Sequence, residues 1–337
     1  MEQQTDLITG ASGFIGRHLA RRLIKEGKRV RVLCRRGSEA KLPQDIVNSL
    51  EISFGDLRDR ASLIEATKGV SRIFHCAGHV SDWGTTDEFF DMNVRGTRWL
   101  LEGARQRTDA SSFHRFVHLS SIAAFGTPAP AFFDDQSPYG DSKDLYSRTK
   151  VEGERKVFQF HEETGLPVTV LRPAVVYGPD GTWLEEPLKM ILKNKMFLLG
   201  GGVGTCHPCY IENLIDAMLL AADHPKAVGQ GYIVGDGEAI SFKDYFNAVA
   251  TLAGKGPIRK SIPLPIARML ATGCELAAKL TRSSTRPLLT HAALEMVTTK
   301  SAMSIDKIRK DLAFQPRYTF QGAIKELQSS RVDLVST

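Results

Sequence analysis

The chain has no long apolar run and little net charge, and each of these shortages excludes a class of protein. No stretch of its 337 residues reaches the roughly 18 apolar residues that a membrane span needs. The formal net charge of +6 is small for a nucleic-acid-binding protein of this length, although it suits an anionic cofactor or substrate. Residues 1–6 lack the basic and apolar regions of a signal peptide. We therefore expect a cytoplasmic protein with a small-molecule partner and no nucleic acid.

Cysteine is also scarce. The five cysteines are an odd number and lie mostly in apolar strings, which indicates free buried thiols in a reducing compartment. Cys206 and Cys209 have the spacing of a redox pair, but they do not open a helix after a thioredoxin-like strand. No second pair accompanies them for zinc. The sequence therefore predicts neither a redox pair nor a metal site.

Short apolar runs alternate with longer amphipathic ones in the first half of the chain. The runs that predict strands are residues 6–9, 30–34, 50–54, 72–76, 116–120 and 168–171. The patterns that predict helices are residues 15–26, 61–67, 88–106 and 142–163. This alternation predicts an α/β fold, a doubly wound parallel sheet of the Rossmann type with helices on both faces.

After about Pro179 the pattern becomes mostly helical. Helices are predicted at residues 210–222, 242–252, 266–280, 287–297, 306–312 and 319–327, and a late strand at residues 231–234. We therefore assign residues 1–179 to a Rossmann domain, which the late strand near 231–235 joins. Residues 180–330 are assigned to a smaller lobe that covers the open end of the sheet and binds substrate.

A glycine trio lies directly between the first strand and the first helix. Gly10, Gly13 and Gly16 suit a tight turn, the approach of backbone to a pyrophosphate, and close packing of helix on strand. The helix N-terminus adds free N–H groups and a positive dipole end. The segment therefore predicts a dinucleotide site, with a purely structural turn as the alternative. The residues expected to bind the coenzyme here are Gly10, Ser12, Gly13, Phe14 and Ile15.

The end of the second strand bears on which dinucleotide is bound. An acid there would accept from the ribose 2′-hydroxyl of NAD, but the chain has Arg35 and Arg36 instead. Guanidinium groups favour a 2′-phosphate, so NADP(H) is favoured and NAD(H) stays possible. The alternative is that both arginines belong to a solvated basic face. Further coenzyme contacts are expected from residues after the third and fourth strands, namely Asp56, Leu57, Ala77 and Gly78.

A tyrosine and a lysine four residues apart form the candidate catalytic pair. Tyr146 and Lys150 share one face of a predicted helix. A neighbouring ammonium favours the phenolate, so we expect Lys150 to lower the tyrosine pKa and Tyr146 to act as general acid or base. Lys150 can also hold the nicotinamide ribose. Ser121 ends the fifth strand, where a hydroxyl can donate to a substrate oxygen as its charge develops.

As a set, these segments resemble the extended short-chain dehydrogenase/reductase family over nearly the whole chain. The matching elements are residues 9–16, 55–57, 75–78, 93–97, 120–121, Tyr146 with Lys150, 171–179 and 210–213. The resemblance implies that Ser121, Tyr146 and Lys150 are catalytic and that Pro173 lines the nicotinamide. It also implies that Asn93 ties a helix to the sheet.

The branch most resembled is the 3β-hydroxysteroid dehydrogenase-like one, which implies an apolar hydroxy or oxo substrate. Sugar-nucleotide epimerases and dehydratases, the alternative, usually carry an Asn where this chain has Val175 and an Arg before the segment 210–213. No arginine occurs between Gly200 and Asn213. A third alternative, a dinucleotide sensor without activity, usually lacks the tyrosine or the lysine.

Several further features are weaker predictions. Candidate pocket walls are His79, Trp83, Phe125, Val175, Trp183 and His207. Residues 262–280 are apolar around much of a predicted helix and could rest on a membrane surface, although packing within the protein is the commoner role. By analogy with relatives, a homodimer would pair the helices at 88–106 and 142–163.

Overall fold

The computed structural model describes residues 4–106, 113–141, 144–281 and 285–330. The strands in chain order are β1 (Thr5–Thr9), β2 (Arg29–Cys34), β3 (Leu50–Phe54), β4 (Val70–His75), β5 (Arg115–Leu119), β6 (Phe132–Phe133), β7 (Val168–Pro173), β8 (Val175–Tyr177), β9 (Leu198–Leu199), β10 (Thr205–Cys206), β11 (Pro208–Tyr210), β12 (Gln230–Val234), β13 (Ile240–Ser241), β14 (Ser261–Ile262) and β15 (Ala302–Met303).

The helices in chain order are α1 (Phe14–Lys25), α2 (Arg60–Ala66), α3 (Thr86–Phe90), α4 (Gly96–Arg105), α5 (Leu145–Thr164), α6 (Thr182–Leu192), α7 (Ile211–Asp223), α8 (Phe242–Leu252), α9 (Leu264–Leu280), α10 (His291–Thr298), α11 (Asp306–Leu312) and α12 (Phe320–Ser329). A π-helical turn, Asp91–Arg95, joins α3 to α4. Within the described ranges, no helix has the length and apolar character to cross a membrane.

A parallel sheet of seven strands lies at the centre, in the order β12, β7, β5, β4, β1, β2, β3. Every residue of β1, β4, β5 and β7 is buried, because helices cover both faces of the sheet. Leu7 and Ile8, successive residues of β1, belong to separate apolar clusters on opposite faces. The predicted doubly wound fold is therefore confirmed.

The second half of the chain adds one strand to this sheet and a mostly helical region beside it. The predicted late strand is β12, which pairs with β7 in parallel. Short pairs hold the remainder together, β8 with β11, β9 with β14, β10 with β13, and β6 with β15. The last of these joins segments about 170 residues apart in the chain, so the end of the C-terminal region is paired with the segment after β5.

Four helices differ between the prediction and the structure. The single helix predicted at 88–106 is divided into α3 and α4 by the π-helical turn. Asn93, within that turn, is buried. The sequence pattern gave no indication of α6, which carries Pro187 inside it. The helix predicted at 287–297 begins only at His291, after Thr290 caps it with its side chain. Of the helix predicted at 142–163, Ser142 lies outside the described residues and α5 begins at Leu145.

All five cysteines are free. Cys206 and Cys209 are fully buried, and burial raises the pKa of both thiols well above its usual value. Across the described parts of the chain, no group of three His, Cys, Asp or Glu side chains could hold a metal ion.

Candidate active site

At two positions of the glycine loop, Gly10 and Gly16, neighbouring backbone atoms leave no room for a side chain. Gly10 has a φ of +78°, and a Cβ there would lie 2.8 Å from the backbone nitrogen of Ala77. A Cβ on Gly16 would lie 2.3 Å from the carbonyl oxygen of Gly10. Gly10 therefore permits the turn beside β4, and Gly16 permits the close packing of α1 on the loop.

The N-terminus of α1 has the features that a pyrophosphate needs. Gly13 is the N-cap, and no side chain caps the helix. Within 4 Å, a Cβ on Gly13 would meet only the carbonyl oxygen of Gly10, so the outer side of the loop is open. The first N–H groups of the helix are therefore available to an anion, and the glycine loop fits the pyrophosphate of a dinucleotide coenzyme.

Asn93 ties the segment after β4 to helix α5, which carries Tyr146 and Lys150. Its Nδ2 donates to the carbonyl of His79 (3.1 Å) and to Oγ1 of Thr149 (3.0 Å), and its Oδ1 accepts from the His79 N–H (2.7 Å). A Cβ on Gly78 would lie 2.9 Å from Asn93 Oδ1 and 3.7 Å from Lys150 Nζ. Asn93 therefore has the linking role that the resemblance implied.

Ser121, Tyr146 and Lys150 meet at the carboxyl end of β5. The Ser121 hydroxyl is close enough to the Tyr146 phenol to lower its pKa, against the larger effect of burial. Lys150 Nζ donates to the carbonyl of Leu119 (2.9 Å) and lies 5.7 Å from the centroid of the Tyr146 ring. Pro173, which ends the adjacent strand β7, is buried at the same edge of the sheet. The three predicted catalytic side chains thus share one location at the edge where parallel α/β sheets bind ligands.

The pKa values of the pair are set mainly by burial. Burial raises the pKa of Tyr146, and the Ser121 hydroxyl partly lowers it. Burial lowers the pKa of Lys150 to about 8, against the favourable charge of Glu154. Lys150 is not among the groups that shift the Tyr146 pKa here, and its expected effect beside an oxidised nicotinamide ring stays a prediction. The group that stabilises the phenolate here is the Ser121 hydroxyl, because the lysine donates to a backbone carbonyl.

A buried ion pair fixes α5 against the sheet. Glu154, one turn after Lys150 and fully buried, accepts from Arg172 Nη2 of β7 at 2.7 Å. The hydroxyls of Tyr139 (3.0 Å) and Ser120 also donate to this carboxylate. Every oxygen of Glu154 is thereby satisfied, which holds the helix that carries Tyr146 and Lys150 in one position.

At the end of β2, Arg35 and Arg36 are both exposed. The Arg36 guanidinium lies 4.6 Å from the centroid of the Phe54 ring, and the charge of Arg35 helps to lower the pKa of Asp56. The largest cause of that lowered pKa is the hydrogen bond from Arg58, whose Nε lies 3.1 Å from the Asp56 carboxylate. Leu57, by contrast, is buried, and a Cβ added at Gly96 would touch it.

Other arginines near this point in the sequence are paired with carboxylates. Ion pairs involve Arg17 with Asp180, Arg21 with Asp45, Arg22 with Glu26, and both Arg29 and Arg31 with Glu51. Neither Arg35 nor Arg36 makes an ion pair with a residue that the structure describes. Both arginines are thus free to meet a coenzyme phosphate, and their alternative interpretation as part of a solvated basic face stays open.

Three of the predicted pocket residues lie close together, but their side chains are buried in the protein interior. Phe125, Val175 and His207 are each buried. The Phe125 ring lies 5.1 Å from that of Phe133, which lies 6.2 Å from the His207 ring, and the Val175 N–H donates to the His207 carbonyl (2.9 Å). These residues are joined by contacts within the protein, and their expected contact with substrate stays a prediction.

The other three predicted pocket residues are divided between two places. His79 and Trp83 lie in the segment after β4, where the His79 ring packs edge-on against Phe89 at 4.4 Å. Trp183 lies at the start of α6, 6.0 Å from the Phe242 ring of α8. The structure therefore places His79 beside Asn93, which bonds α5, Trp83 four residues further along the same segment, and Trp183 within the C-terminal region.

One functional feature was missed from the sequence. Asp82, in the segment after β4, accepts from the Arg286 guanidinium (Nη2, 2.7 Å) and from the Thr290 hydroxyl. We call these three residues the clasp. It joins parts of the chain 204 residues apart, so no local pattern could have indicated it.

Comparisons with known proteins agree with this geometry. The model of the NAD dependent epimerase/dehydratase family matches residues 7–235. The chain is 31% identical over 335 residues to the 3 beta-hydroxysteroid dehydrogenase/Delta 5-->4-isomerase of Mycobacterium tuberculosis, covering 95% of this chain and 88% of that protein. It is 27% identical over 333 residues to the 2-alkyl-3-oxoalkanoate reductase of Stenotrophomonas maltophilia, covering 96% and 98%. The solved structure of DesIV, a dTDP-glucose 4,6-dehydratase of Streptomyces venezuelae, shares the fold with a TM-score of 0.76, 21% identity and 98% of each chain covered.

Proposed function

Since the chain belongs to the NAD dependent epimerase/dehydratase family, we propose that it is an oxidoreductase acting on a hydroxy or oxo group of an apolar substrate. The observation that carries the proposal is the meeting of Ser121, Tyr146 and Lys150 at the carboxyl end of β5, beside a loop that fits a dinucleotide. The extended short-chain dehydrogenase/reductase motifs of the sequence agree with this membership.

The nicotinamide coenzyme, when bound, supplies or takes up the hydride. The chain's own residues bind and move protons around that step. The α1 N-terminus, with Gly10 and Gly13, holds the pyrophosphate. Ser121 donates a hydrogen bond to the substrate oxygen, and Tyr146 gives a proton to that oxygen or takes one from it. Lys150, buried beside both, positions the nicotinamide ribose.

An apolar substrate is supported by two observations. The named relatives act, by their names, on a hydroxysteroid and on 2-alkyl-3-oxoalkanoates, which carry hydroxy or oxo groups on largely apolar skeletons. The stretch between Gly200 and Asn213 has no arginine. Burying the diphosphate of a nucleotide sugar without a cationic partner would cost free energy, so the sequence favours an uncharged, apolar substrate. The alternative, a sugar-nucleotide epimerase or dehydratase, would bind UDP or dTDP tightly and show no net use of coenzyme.

Preference for NADP(H) is supported by the two unpaired arginines at the end of β2. Titration of NADPH and NADH, followed by tryptophan fluorescence, should show tighter binding of NADPH. The variant Arg35→Ala/Arg36→Ala should weaken NADPH binding by about tenfold or more, because charge-assisted bonds to the 2′-phosphate are lost, and leave NADH nearly unchanged. Arg29→Ala, which removes an arginine paired with Glu51, is the matched control and should change neither. Equal binding of both coenzymes by the wild type would contradict the preference.

Replacement of the phenol tests the chemistry. In Tyr146→Phe, kcat for a ketone or alcohol found in a panel of steroid-like and 3-oxo substrates should fall by about 10² to 10⁴, while coenzyme still binds. Tyr318→Phe is the control, because that ring packs against Tyr210 in the C-terminal half. Full turnover by Tyr146→Phe would refute the assignment, and retained coenzyme with strong UDP binding would favour the epimerase alternative.

A further inference from the structure

Helix α9 exposes its large apolar side chains, whereas a helix that only packs on its own protein buries them. Its buried residues are small, namely Ala267, Ala271 and Ala278. Its large apolar residues are exposed instead, and these are Ile266, Met269, Leu270, Leu276 and Leu280. Met269 is 67% exposed and Leu280 is 77% exposed. Folding leaves these side chains in water at a cost that a partner surface would remove.

The exposed side chains form one stripe, which we call the outer stripe. At 100° per residue, Ile266, Met269, Leu270, Leu276 and Leu280 fall within a sector of about 120° along the helix. The alanines lie on a different sector. Arg268 and Lys279 lie together on a third sector that flanks the stripe. An apolar face bordered by cations is the pattern of helices that lie in the interface of a bilayer.

An exposed apolar side chain next to a cation also occurs near the N-terminus of α9. Strand β14, just before α9, pairs with β9. Beside β9, Phe197 is 41% exposed, and Lys260 Nζ lies 5.7 Å from the centroid of its ring. A further exposed apolar side chain with a neighbouring cation therefore lies beside the strand that leads into α9.

The charge of this region indicates the occupant. Between residues 254 and 281 the cations are Lys255, Arg259, Lys260, Arg268 and Lys279, and the only acid is Glu275. Glu275 Oε1 accepts from the backbone N–H of His291, the first residue of α10, which anchors it to the protein. A second copy docking by two-fold symmetry would set this positive region against itself. An anionic lipid surface offers both apolar depth and negative charge.

We propose that the outer stripe of α9, together with Phe197 and Lys260, docks this protein on an anionic lipid surface. The helix would lie along the surface with Met269, Leu276 and Leu280 in the acyl boundary and Arg268 and Lys279 at the headgroups. This docking does not depend on the proposed chemistry. It would bring the active site close to a lipid phase, because α10, which packs on α9, starts at the clasp beside the segment after β4.

Flotation of the whole protein with vesicles tests the proposal, with no coenzyme or substrate present. The wild type should float with equimolar phosphatidylcholine and phosphatidylglycerol and not with phosphatidylcholine alone, and salt should weaken the binding. Leu276→Glu/Leu280→Glu should reduce the partition coefficient by about tenfold or more, since both apolar contact and charge complementarity are lost. Arg268→Gln/Lys279→Gln should reduce it on anionic vesicles by less.

Val228→Glu is the matched control, because it places an acid at another exposed apolar residue, between α7 and β12, and should float like the wild type. Thermal unfolding and coenzyme binding of each variant check that the fold persists. Failure of the wild type to float with anionic vesicles would overturn the proposal, and so would unchanged flotation of Leu276→Glu/Leu280→Glu. Self-association that these substitutions abolish, without flotation, would assign the stripe to a second copy and overturn it too.

Discussion

A lysine buried in the active site carries a free-energy cost that can be measured. Burial lowers the pKa of Lys150 from 10.5 to about 8, which corresponds to a cost of roughly 3 kcal/mol while the folded lysine is charged. Between pH 8 and 10.5 the unfolded chain binds a proton that the folded chain has lost. The contribution of this lysine to stability therefore rises with pH through that window, and the full cost applies below it.

We expect Lys150→Met to stabilise the protein while it abolishes turnover. At neutral pH the free energy of unfolding should rise by about 2 kcal/mol, because the desolvation cost disappears and one hydrogen bond to the Leu119 carbonyl is lost. In urea unfolding measured from neutral pH to 10.5, the variant should also lack the rise in the free energy of unfolding that Lys150 contributes above pH 8. Lys156→Met, on the same helix, is the control and should change stability by no more than about 0.5 kcal/mol. A marked loss of stability in Lys150→Met would show that its charge is favourably compensated.

At the level of single residues, the sequence predicted which side chains meet but not their protonation. The positions of Ser121, Tyr146 and Lys150 follow from local rules, since one ends a strand and two share a helix face. The pKa of Tyr146 depends on how deeply its ring is buried and on which group Lys150 bonds, and both are set by packing. The Phe125 ring lies 5.4 Å from the guanidinium of the buried Arg172, a contact that no local pattern indicates.

At the level of elements, prediction succeeded where the signal was local. The strands of the central sheet were found because each is a short apolar run, and the glycine loop because its spacing is fixed by backbone contacts. The break between α3 and α4 was missed, because a π-helical turn has the same apolar pattern as the helices it joins. The short pairs such as β6 with β15 depend on contacts between distant segments. Pairing of two copies through α4 and α5 stays a prediction.

At the level of the whole molecule, the clasp is a direct polar link between the active-site segment and the C-terminal region. The segment after β4 is held at its base by Asn93, which also bonds the catalytic helix, and at its tip by Asp82. Arg286 and Thr290 bond Asp82 just before α10 begins. The hydrogen bonds from Arg286 and Thr290 outweigh burial and lower the Asp82 pKa, so the carboxylate is charged at neutral pH.

Loss of the clasp should therefore loosen both segments together. In Asp82→Ala, amide hydrogen exchange should become faster in residues 79–84 and in the first turn of α10, since each loses its polar anchor. Global stability should fall by no more than about 1 kcal/mol, because Arg286 is half exposed and solvent screens the pair. Arg286→Ala should have a smaller effect, because Thr290 still donates to Asp82, and the double variant should add little to Asp82→Ala, which already removes both bonds. Arg309→Ala, which breaks the exposed pair with Asp306, is the control. Faster exchange in only one of the two segments would show that the clasp does not couple them.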